Sequence, residues 1–366
     1  MRYTRMPIEV ESPEEFGYDR IRYNLSESSI ADHSLSDFGL QIPDLKLLYN
    51  EHRGSIPLRQ LILHGSTGLS IDNVLITDGA AGALFIVATA LLSAQDHLVV
   101  IRPNYATNLE TPRAIGCQIT FVDLSFEQGF ALDMNSLRAS LRPETKLISV
   151  TTPHNPTGVM LTEAELRELA ALAKKHGCYL LVDETYRDLS LDGTLPIAAS
   201  LGSHVISVSS LSKAYGVPGI RLGWLITSDE ELQTIFLAAK EQISICGSVI
   251  HEWIGEQILT NRDAILRKTL AEMRRRRQVV SDWIEHEKLL EWVAPTGGVV
   301  CFPRMRTTPP GGTPAFYQRL LSREGVYLGP GHWFEMPDEH FRLGYGWPTA
   351  EELAGGLEAI SKALRG

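Results

Sequence analysis

One lysine of this chain stands in surroundings unlike those of the others. Lys213 lies among serines and small residues, and no other charged residue occurs within seven positions on either side. A lysine that is shielded from water loses proton affinity and becomes a usable amine nucleophile. Ser210, Ser212 and Arg221 offer hydroxyl and guanidinium donors that suit a phosphate. The pattern predicts an amine that forms a Schiff base with pyridoxal phosphate, the alternative being a surface loop that happens to contain a lysine.

A second stretch could receive the same phosphate. Gly79, Ala80 and Ala81 stand between an apolar strand-like run and an apolar helical run. Small residues let a phosphate approach the backbone N–H groups at the positive end of a helix, although tight helix–sheet packing also favours them. After the next strand-like run, Tyr105 could stack on a planar ring or be an ordinary turn residue. The interpretation of both stretches as parts of a cofactor site is stronger because the same chain contains Lys213 in its unusual surroundings.

Three further polar side chains follow strand-like runs. Asn155 precedes a proline, which holds its backbone extended and fixes the direction of its amide. Asp183 ends an apolar run, where a carboxylate is costly unless it is paired, and a protonated pyridine nitrogen would be a suitable partner. Tyr186 could reach the hydroxyl of the same ring together with Asn155. Each residue alone could cap a turn, but all of them at strand ends of one α/β sheet indicate a cofactor site.

Arg342 is the one basic residue of a short apolar run at 341–345. A guanidinium can hold a carboxylate through two parallel hydrogen bonds, so Arg342 is a candidate ligand for the carboxylate of an amino acid. A structural salt bridge is an equally good interpretation of the sequence alone.

These residues must be positioned by regular elements, and the chain alternates between strand-like and helical patterns. The clearest helix spans about 162–177, with a capping box at Thr162 and Glu165 and with Gly177 as its stop. The pattern predicts an α/β fold in which a mostly parallel sheet is covered by helices on both faces. The predicted strands are 74–77, 98–101, 118–122, 147–150, 179–182 and 204–208.

We expect three parts along the chain: an N-terminal arm over residues 1–45, a large cofactor-binding domain over 46–265 and a smaller α+β domain over 266–366. Short helices are predicted to start at Ser12 and to cover 45–49 and 58–63. In the small domain, 293–342 reads as short strands with a loop at 309–312, and a helix over 350–364 closes the chain.

Composition limits the class of protein. The 366 residues are 44% hydrophobic and 21% charged, as is typical of a globular enzyme, and their formal net charge is −10. This charge argues against nucleic acid or an acidic membrane as a partner, and the basic run 274–277 is predicted to be a solvated helix face. The longest apolar run, 79–94, is too short to span a membrane. Four scattered cysteines and an N-terminus without an apolar signal core predict reduced thiols, no metal site and a cytoplasmic location.

Together the motifs resemble those of the class I/II aminotransferases, which are fold-type-I pyridoxal-phosphate enzymes. The patterns N-P-x-G, D-E-x-Y and S-x-S-K-x-x-G-x-x-G-x-R-x-G-W occur here in the family's order and spacing, and the resemblance covers nearly the whole chain. It implies that Lys213 carries the cofactor and moves the α-proton of the substrate, and that Asp183 pairs with the pyridine nitrogen.

The same resemblance implies the remaining contacts. Asn155 and Tyr186 would bind the ring hydroxyl, and Tyr105 would stack on the ring. Arg342 would take the α-carboxylate of an L-amino acid, and Asn155 would also bind the substrate. The family is dimeric, so Tyr49 would reach the phosphate of the neighbouring subunit. The expected phosphate ligands of the same subunit are Gly79, Ala80, Ala81, Ser210, Ser212 and Arg221.

The arm carries a second resemblance. Residues 27–33 are similar to the N-terminal stretch of a small branch of this family, the pyridoxal-phosphate-dependent arginine oxidases and hydroxylases, whose relatives include cyclases. This resemblance implies that L-arginine reacts with dioxygen to give a 2-oxo acid, with His33 as the catalytic histidine. Glu15 and Asp32 would bind the guanidinium. The alternatives are a conventional aminotransferase whose His33 faces solvent, a cyclase or eliminase and, from another class, a cofactor-binding regulator without catalysis.

Overall fold

The computed structural model describes all residues from Met1 to Gly366. The helices are α1 (Pro7–Val10), α2 (Pro13–Phe16), α3 (Ile56–Ile62), α4 (Gly79–Leu91), α5 (Ala106–Ile115), α6 (Met134–Ala139), α7 (Glu163–His176), α8 (Glu230–Ile243), α9 (Val249–Thr260), α10 (Arg262–His286), α11 (Gly312–Ser322) and α12 (Ala350–Arg365). The strands are β1 (Tyr23–Asn24), β2 (Val74–Asp78), β3 (His97–Arg102), β4 (Gln118–Asp123), β5 (Thr145–Thr151), β6 (Tyr179–Asp183), β7 (Val205–Ser210), β8 (Leu222–Ile226), β9 (Leu290–Glu291), β10 (Val300–Cys301), β11 (Arg304–Met305), β12 (Val326–Tyr327), β13 (Gly329–Pro330) and β14 (Phe341–Gly344).

A seven-stranded sheet positions most of the predicted site residues. Its strand order is β2-β8-β7-β6-β5-β3-β4, and every pairing is parallel except those of β8 with β2 and with β7. The predicted mostly parallel α/β sheet is therefore confirmed. Because the carboxyl ends of parallel strands meet at one edge, Asp183 at the end of β6 and Ser210 at the end of β7 come together there.

Helices cover the sheet, as the continuous apolar strands predict. Helix α7 begins at the Thr162 cap, whose hydroxyl accepts from the Glu165 N–H, and it ends at Gly177 in the left-handed region. Its inner face, with Leu166 and Leu169, is completely buried. The predicted bounds of this helix are confirmed. They could be predicted because each end carries a local capping signal.

The structure differs from the expectations about local structure in four places. Residues 45–49 form no helix, because so short a segment needs a packing partner and Leu47 and Leu48 are exposed. Strand β8 was not predicted, and α11 interrupts the region read as strands and loop. The basic run 274–277 is only partly solvated, since Arg276 donates to the carbonyl oxygens of Tyr345 and Gly346.

The C-terminal part supplies three small sheets. Strand β14 lies between β10 and β13 and is antiparallel to both, while β9 pairs with β11. The third sheet joins the two ends of the chain, because β1 of the arm runs parallel to β12. No helix of the structure has the length and apolar character that crossing a membrane requires.

His340 is a buried histidine whose two ring nitrogens both lack hydrogen-bond partners. Its ring stacks on Phe302 at 5.3 Å and meets Phe126 edge-on at 6.1 Å. Burial lowers the pKa of His340, and the nearby charge of Arg304 acts in the same direction. The unfolded chain therefore binds a proton more readily, so the protein loses stability as pH falls below the ordinary histidine value of about 6.5.

We expect His340→Phe to raise the thermal midpoint by about 1–3 °C at pH 5.5 and by less at pH 8, because a ring of similar shape removes the unpaired nitrogens and the proton linkage. Scanning calorimetry at both pH values measures the effect. His97 is the control, since its two ring nitrogens pair with the hydroxyls of Thr145 and Thr120 at 2.8 Å. His97→Phe should be destabilising at both pH values; equal shifts in the two variants would contradict this account.

Candidate active site

Lys213 lies in the loop after β7, and its amine is buried. The ammonium Nζ donates to Ser28 Oγ of the arm at 3.1 Å. Burial lowers the pKa of Lys213, while the negative charges of Glu27 and Glu14 act against this effect. The side chain is thus an amine that gives up its proton more easily than a surface lysine and faces an enclosed space.

Asp183 is a buried carboxylate that forms no salt bridge. Its Oδ1 accepts from the Thr185 N–H at 3.1 Å and from the Thr185 hydroxyl at 2.6 Å, and Oδ2 accepts from Asn108 Nδ2 at 3.4 Å. Burial raises the pKa of Asp183, and the Thr185 hydrogen bonds offset part of that rise. A cationic ring N–H in the neighbouring cavity would supply the partner that this carboxylate lacks.

Tyr186 and Asn155 present the next polar atoms. The Tyr186 hydroxyl is buried without a hydrogen-bond partner, and burial raises its pKa above the usual tyrosine value. Asn155 is also buried, and its Oδ1 accepts from Arg342 Nη1 at 3.1 Å. An unpaired buried hydroxyl is costly, so its presence beside Asn155 indicates that a polar ligand atom belongs there.

The opposite end of the cavity is built for close backbone approach. Gly79 starts α4 with φ +72°, and a Cβ at this position would lie 2.5 Å from Nη2 of Arg221. Gly223 on β8 has no room for a side chain either, because a Cβ at this position would lie 2.3 Å from the carbonyl carbon of Gly79. The helix start and the Arg221 guanidinium together make a site for an anion such as a phosphate.

A cavity of about 410 Å³ joins these two ends. Gly79 lies directly behind it, against Arg221. The predicted residues that line the cavity are Ala80, Ala81, Tyr105, Asn155, Asp183, Tyr186, Ser210, Ser212, Lys213 and Arg221. Ser28, Thr185 and Glu14 also line it and were not predicted. The residues present therefore fit pyridoxal phosphate: an anion site at one end, an unpaired carboxylate and hydroxyl at the other, and a buried amine between them.

Arg342 lies on β14 and is buried, but it forms no salt bridge. Its Nη2 donates to the carbonyl oxygen of Ser26 at 2.7 Å, and its Nε has no partner. The guanidinium carbon lies 5.8 Å from the Trp333 ring and 5.1 Å from the Phe334 ring. A buried guanidinium with spare donors is suited to a carboxylate ligand, whereas the structural salt bridge considered from the sequence is absent.

The N-terminal arm passes between the Lys213 loop and β14. The Ile30 N–H donates to the Lys213 carbonyl at 3.2 Å, and the Gly344 N–H donates to the Leu25 carbonyl at 2.7 Å. Gly344 must be glycine at this crossing, because a Cβ would lie 1.8 Å from the Glu27 carbonyl oxygen. The arm is therefore a wall of the site.

Besides Gly79 and Arg342, which lie against the lining residues Arg221 and Asn155 without lining the cavity themselves, four predicted residues lie outside it. His33 is about one-third exposed, with Nδ1 3.7 Å from Asp37 Oδ2 and its backbone N–H bound to the Gly216 carbonyl. Asp32 accepts from Trp347 Nε1 at 2.9 Å, and exposed Glu15 pairs with Arg5 at 3.4 Å. Tyr49 is 78% exposed.

Glu14, the neighbour of Glu15, is the arm carboxylate that reaches the cavity. The predicted helix start at Ser12 is confirmed. The helix has only four residues, so its sequence has no periodicity that could show that Glu14, and not Glu15, faces the cavity. Ser28, whose hydroxyl receives the Lys213 amine, lies in a polar stretch with no pattern that could single it out.

The fold and the cavity define the chain as a pyridoxal-phosphate-dependent enzyme of fold type I. It belongs to the family described as aminotransferase class I and II, whose family model matches residues 55–360. This confirms the first resemblance drawn from the motifs.

Several relatives are similar over most of the chain. Capreomycidine synthase of Streptomyces vinaceus is 33% identical over 294 residues, which are 80% of this chain and 74% of the relative. Arginine–pyruvate transaminase AruH of Pseudomonas aeruginosa is 30% identical over 332 residues, 87% of this chain and 80% of the relative.

Two solved structures have a similar fold. A pyridoxal-phosphate-dependent aminotransferase from Streptococcus suis has a TM-score of 0.92 at 28% identity and covers 100% of this chain and 98% of its own. The pyridoxal-phosphate-dependent cyclase OrfR has a TM-score of 0.88 at 28% identity, with the same coverage.

Proposed function

We propose that the enzyme removes the α-amine of L-arginine, or of a close guanidino relative, and passes it to a 2-oxo acid. The observation that carries this proposal is the arm carboxylate Glu14, which lines the cavity together with Lys213, with the Glu27 carboxylate on the same arm beside Tyr18. Two negative groups beside an amino-acid site favour a substrate whose side chain is cationic.

Bound pyridoxal phosphate supplies an electron-withdrawing ring that weakens the bond between the α-carbon and its proton. The protein groups then have separable tasks. Arg342 would orient the α-carboxylate, Asp183 would hold the protonated ring nitrogen, and Lys213 Nζ would take the α-proton and pass it to the cofactor, because returning it to the α-carbon would leave the amine on the substrate. Ser28 accepts a hydrogen bond from the free lysine amine, so its hydroxyl can hold Nζ in place for the proton transfer.

We propose that Glu14 recognises the side chain of the substrate. It lines the same cavity as Lys213, on the wall contributed by the arm. A carboxylate there can hold a guanidinium by two parallel hydrogen bonds. The similarity to arginine–pyruvate transaminase AruH supports the same substrate class. The role expected for Glu15 passes to Glu14, because Glu15 faces solvent and pairs with Arg5.

An oxygen-dependent outcome is the second candidate. It is favoured by the backbone contact of His33 with Gly216, on the loop that carries Lys213. The imidazole itself lies outside the cofactor cavity, beside Asp37 and Phe38, so it has no direct access to the α-carbon. We therefore place amine transfer before oxidation, and a cyclase or eliminase after both.

A second copy of the chain completes the site in this proposal. Leu47, Leu48 and Tyr49 form an exposed apolar stretch, and Ile243 and Ile245 are exposed as well. The segment that follows Tyr49 is held firmly, because Lys240 donates to the His52 carbonyl and Glu252 accepts from Asn50 and from the Ser55 N–H. A partner that covers this surface would bring Tyr49 to the neighbouring phosphate, and a sedimentation mass twice that of the 40.6 kDa chain is expected.

The substrate proposal is tested with the purified holoenzyme, L-arginine and pyruvate in an oxygen-electrode cell. We expect alanine to accumulate while oxygen is not consumed. Oxygen uptake in the absence of pyruvate would show that the enzyme oxidises L-arginine instead of transferring its amine. In that case His33→Ala should abolish the uptake. If L-arginine gives no reaction of either kind, the substrate proposal is wrong.

Glu14→Gln should lower kcat/KM for L-arginine by about tenfold, because one charge-assisted pair with the guanidinium is lost. The rate with an uncharged amino acid such as L-norleucine should stay unchanged. Glu15→Gln is the matched control, since it alters the adjacent carboxylate outside the cavity. Equal losses in the two variants would mean that Glu14 does not contact the side chain.

A further inference from the structure

A cluster of three ionisable side chains ties the N-terminal arm to the turn around residues 331–338, which follows β13. Glu11 Oε2 accepts from His332 Nε2 at 2.8 Å, and His332 Nδ1 lies 2.8 Å from Asp338 Oδ1. No lysine or arginine pairs with either carboxylate. Because both ring nitrogens face carboxylate oxygens, only the doubly protonated imidazolium can donate to both.

We propose that Glu11, His332 and Asp338 form a proton-dependent latch, which holds the arm against this turn while His332 is charged and loosens it when the ring loses its proton. His332 has no part in the site chemistry described above. Its function in the latch is positional, since it touches neither the cofactor cavity nor Lys213.

The latch is connected to the cavity through Trp333 and Arg342, since Arg342 bonds to the lining residue Asn155. The indole Nε1 of Trp333 donates to the same Glu11 oxygen at 2.7 Å, and the Trp333 ring flanks the Arg342 guanidinium. The Tyr327 hydroxyl donates a hydrogen bond to the Glu11 carbonyl oxygen at 2.5 Å, and the Tyr327 ring stacks on Phe16 of α2. Loss of the His332 bond therefore loosens the arm segment that carries Glu14, while the Trp333 and Tyr327 bonds still hold Glu11.

The direction of the pH effect follows from the partners. Burial acts to lower the pKa of His332, but its hydrogen bonds to Glu11 and Asp338 outweigh burial and raise the pKa above the ordinary value. A raised pKa means that the stabilisation is complete at low pH, below the unfolded value, and is lost as pH rises through the folded value. Glu11 of the arm and Asp338 of the turn are the charged groups that face the ring. The latch is therefore closed below the ordinary histidine pKa and opens as pH rises through the raised pKa of His332 in the folded protein.

Hydrogen exchange on the holoenzyme tests the latch without any substrate. We expect the protection factors of amides in residues 6–17 to fall by about threefold to tenfold as pH rises from 6 to 9, after correction for intrinsic exchange. In His332→Gln the protection of this segment should be low at every pH and should show no such fall.

Two further variants and a control sharpen the test. Glu11→Gln and Asp338→Asn each remove one charge without changing shape, so each should reduce the protection at pH 6. His286→Gln is the control, because His286 bonds only to the Asp282 carbonyl on α10, away from the arm. Protection that is independent of pH in the wild-type protein, or unchanged in His332→Gln, would overturn the latch.

The consequence for substrate binding rests on the proposed function. Since Glu14 moves with the arm, KM for L-arginine should rise over the same pH range in the wild-type enzyme and should lose that pH dependence in His332→Gln. The exchange experiment needs no substrate. A failure of the arginine reaction would therefore refute the proposed substrate and leave the exchange result to decide on the latch.

Discussion

Lys213→Ala is expected to lose covalent attachment of the cofactor and to lower kcat by at least about 10³-fold. The reason is that no other amine lines the cavity, so the variant lacks both the nucleophile and the group that moves the α-proton. The attachment is measured by borohydride reduction followed by peptide mass spectrometry, which fixes pyridoxal on the lysine that carries it. Kinetics with L-arginine and pyruvate give the second measurement.

Lys240 is the matched control for this prediction. Its amine is also buried, and burial also lowers its pKa, but Nζ donates to the His52 carbonyl instead of facing the cofactor cavity. Because Lys240 lies outside the cofactor cavity, it should stay unlabelled in the wild-type protein. Label on Lys240, or label that persists in Lys213→Ala, would refute the assignment of the cofactor lysine.

Arg342→Ala is expected to lower kcat/KM for the amino acid by roughly 10²- to 10³-fold, mainly through KM. Removing one partner of a buried, hydrogen-bonded charge pair costs about 2–5 kcal/mol, and the carboxylate would be that partner. Arg342→Lys should recover little of the loss, because a single ammonium cannot reproduce the planar fork of donors. Stopped-flow binding and steady-state kinetics measure the two parameters.

Two controls make the Arg342 result specific. Retained cofactor absorbance shows that the variant still folds around its site. Arg365→Ala removes an arginine that pairs with Glu287 and lies far from the cavity, so its KM should match the wild-type value. An Arg342→Ala enzyme with normal KM would mean that the guanidinium serves only its bonds to Asn155 and Ser26.

The sheet and the cofactor cavity could largely be predicted from sequence. Strands such as β6 and β7 are continuous apolar runs, and each motif residue follows its strand within a few positions. Parallel pairing then brings Asp183 and Ser210 to one edge without any further information. Local signals therefore sufficed for this part of the site.

The wall formed by the arm could not be predicted in the same way. The contacts of Ser28 with Lys213 and of Glu11 with His332 join residues that lie far apart in the chain, and nothing in the local sequence marks either pair. The exposed segment 41–50 misled the helix prediction for a related reason. Its leucines are spaced as on a helix, but this chain offers them no surface to pack against.

The pairing of β1 with β12 has a consequence for the order of biosynthesis. Tyr23 leaves the ribosome early, whereas its partner Val326 follows roughly 300 residues later. Until then the early segment has neither its strand partner nor the glycine of β14 against which it rests. The wall to which Ser28 belongs is therefore complete only when synthesis is nearly finished, so a nascent or C-terminally truncated chain contains the cofactor motifs before the site that encloses them is complete.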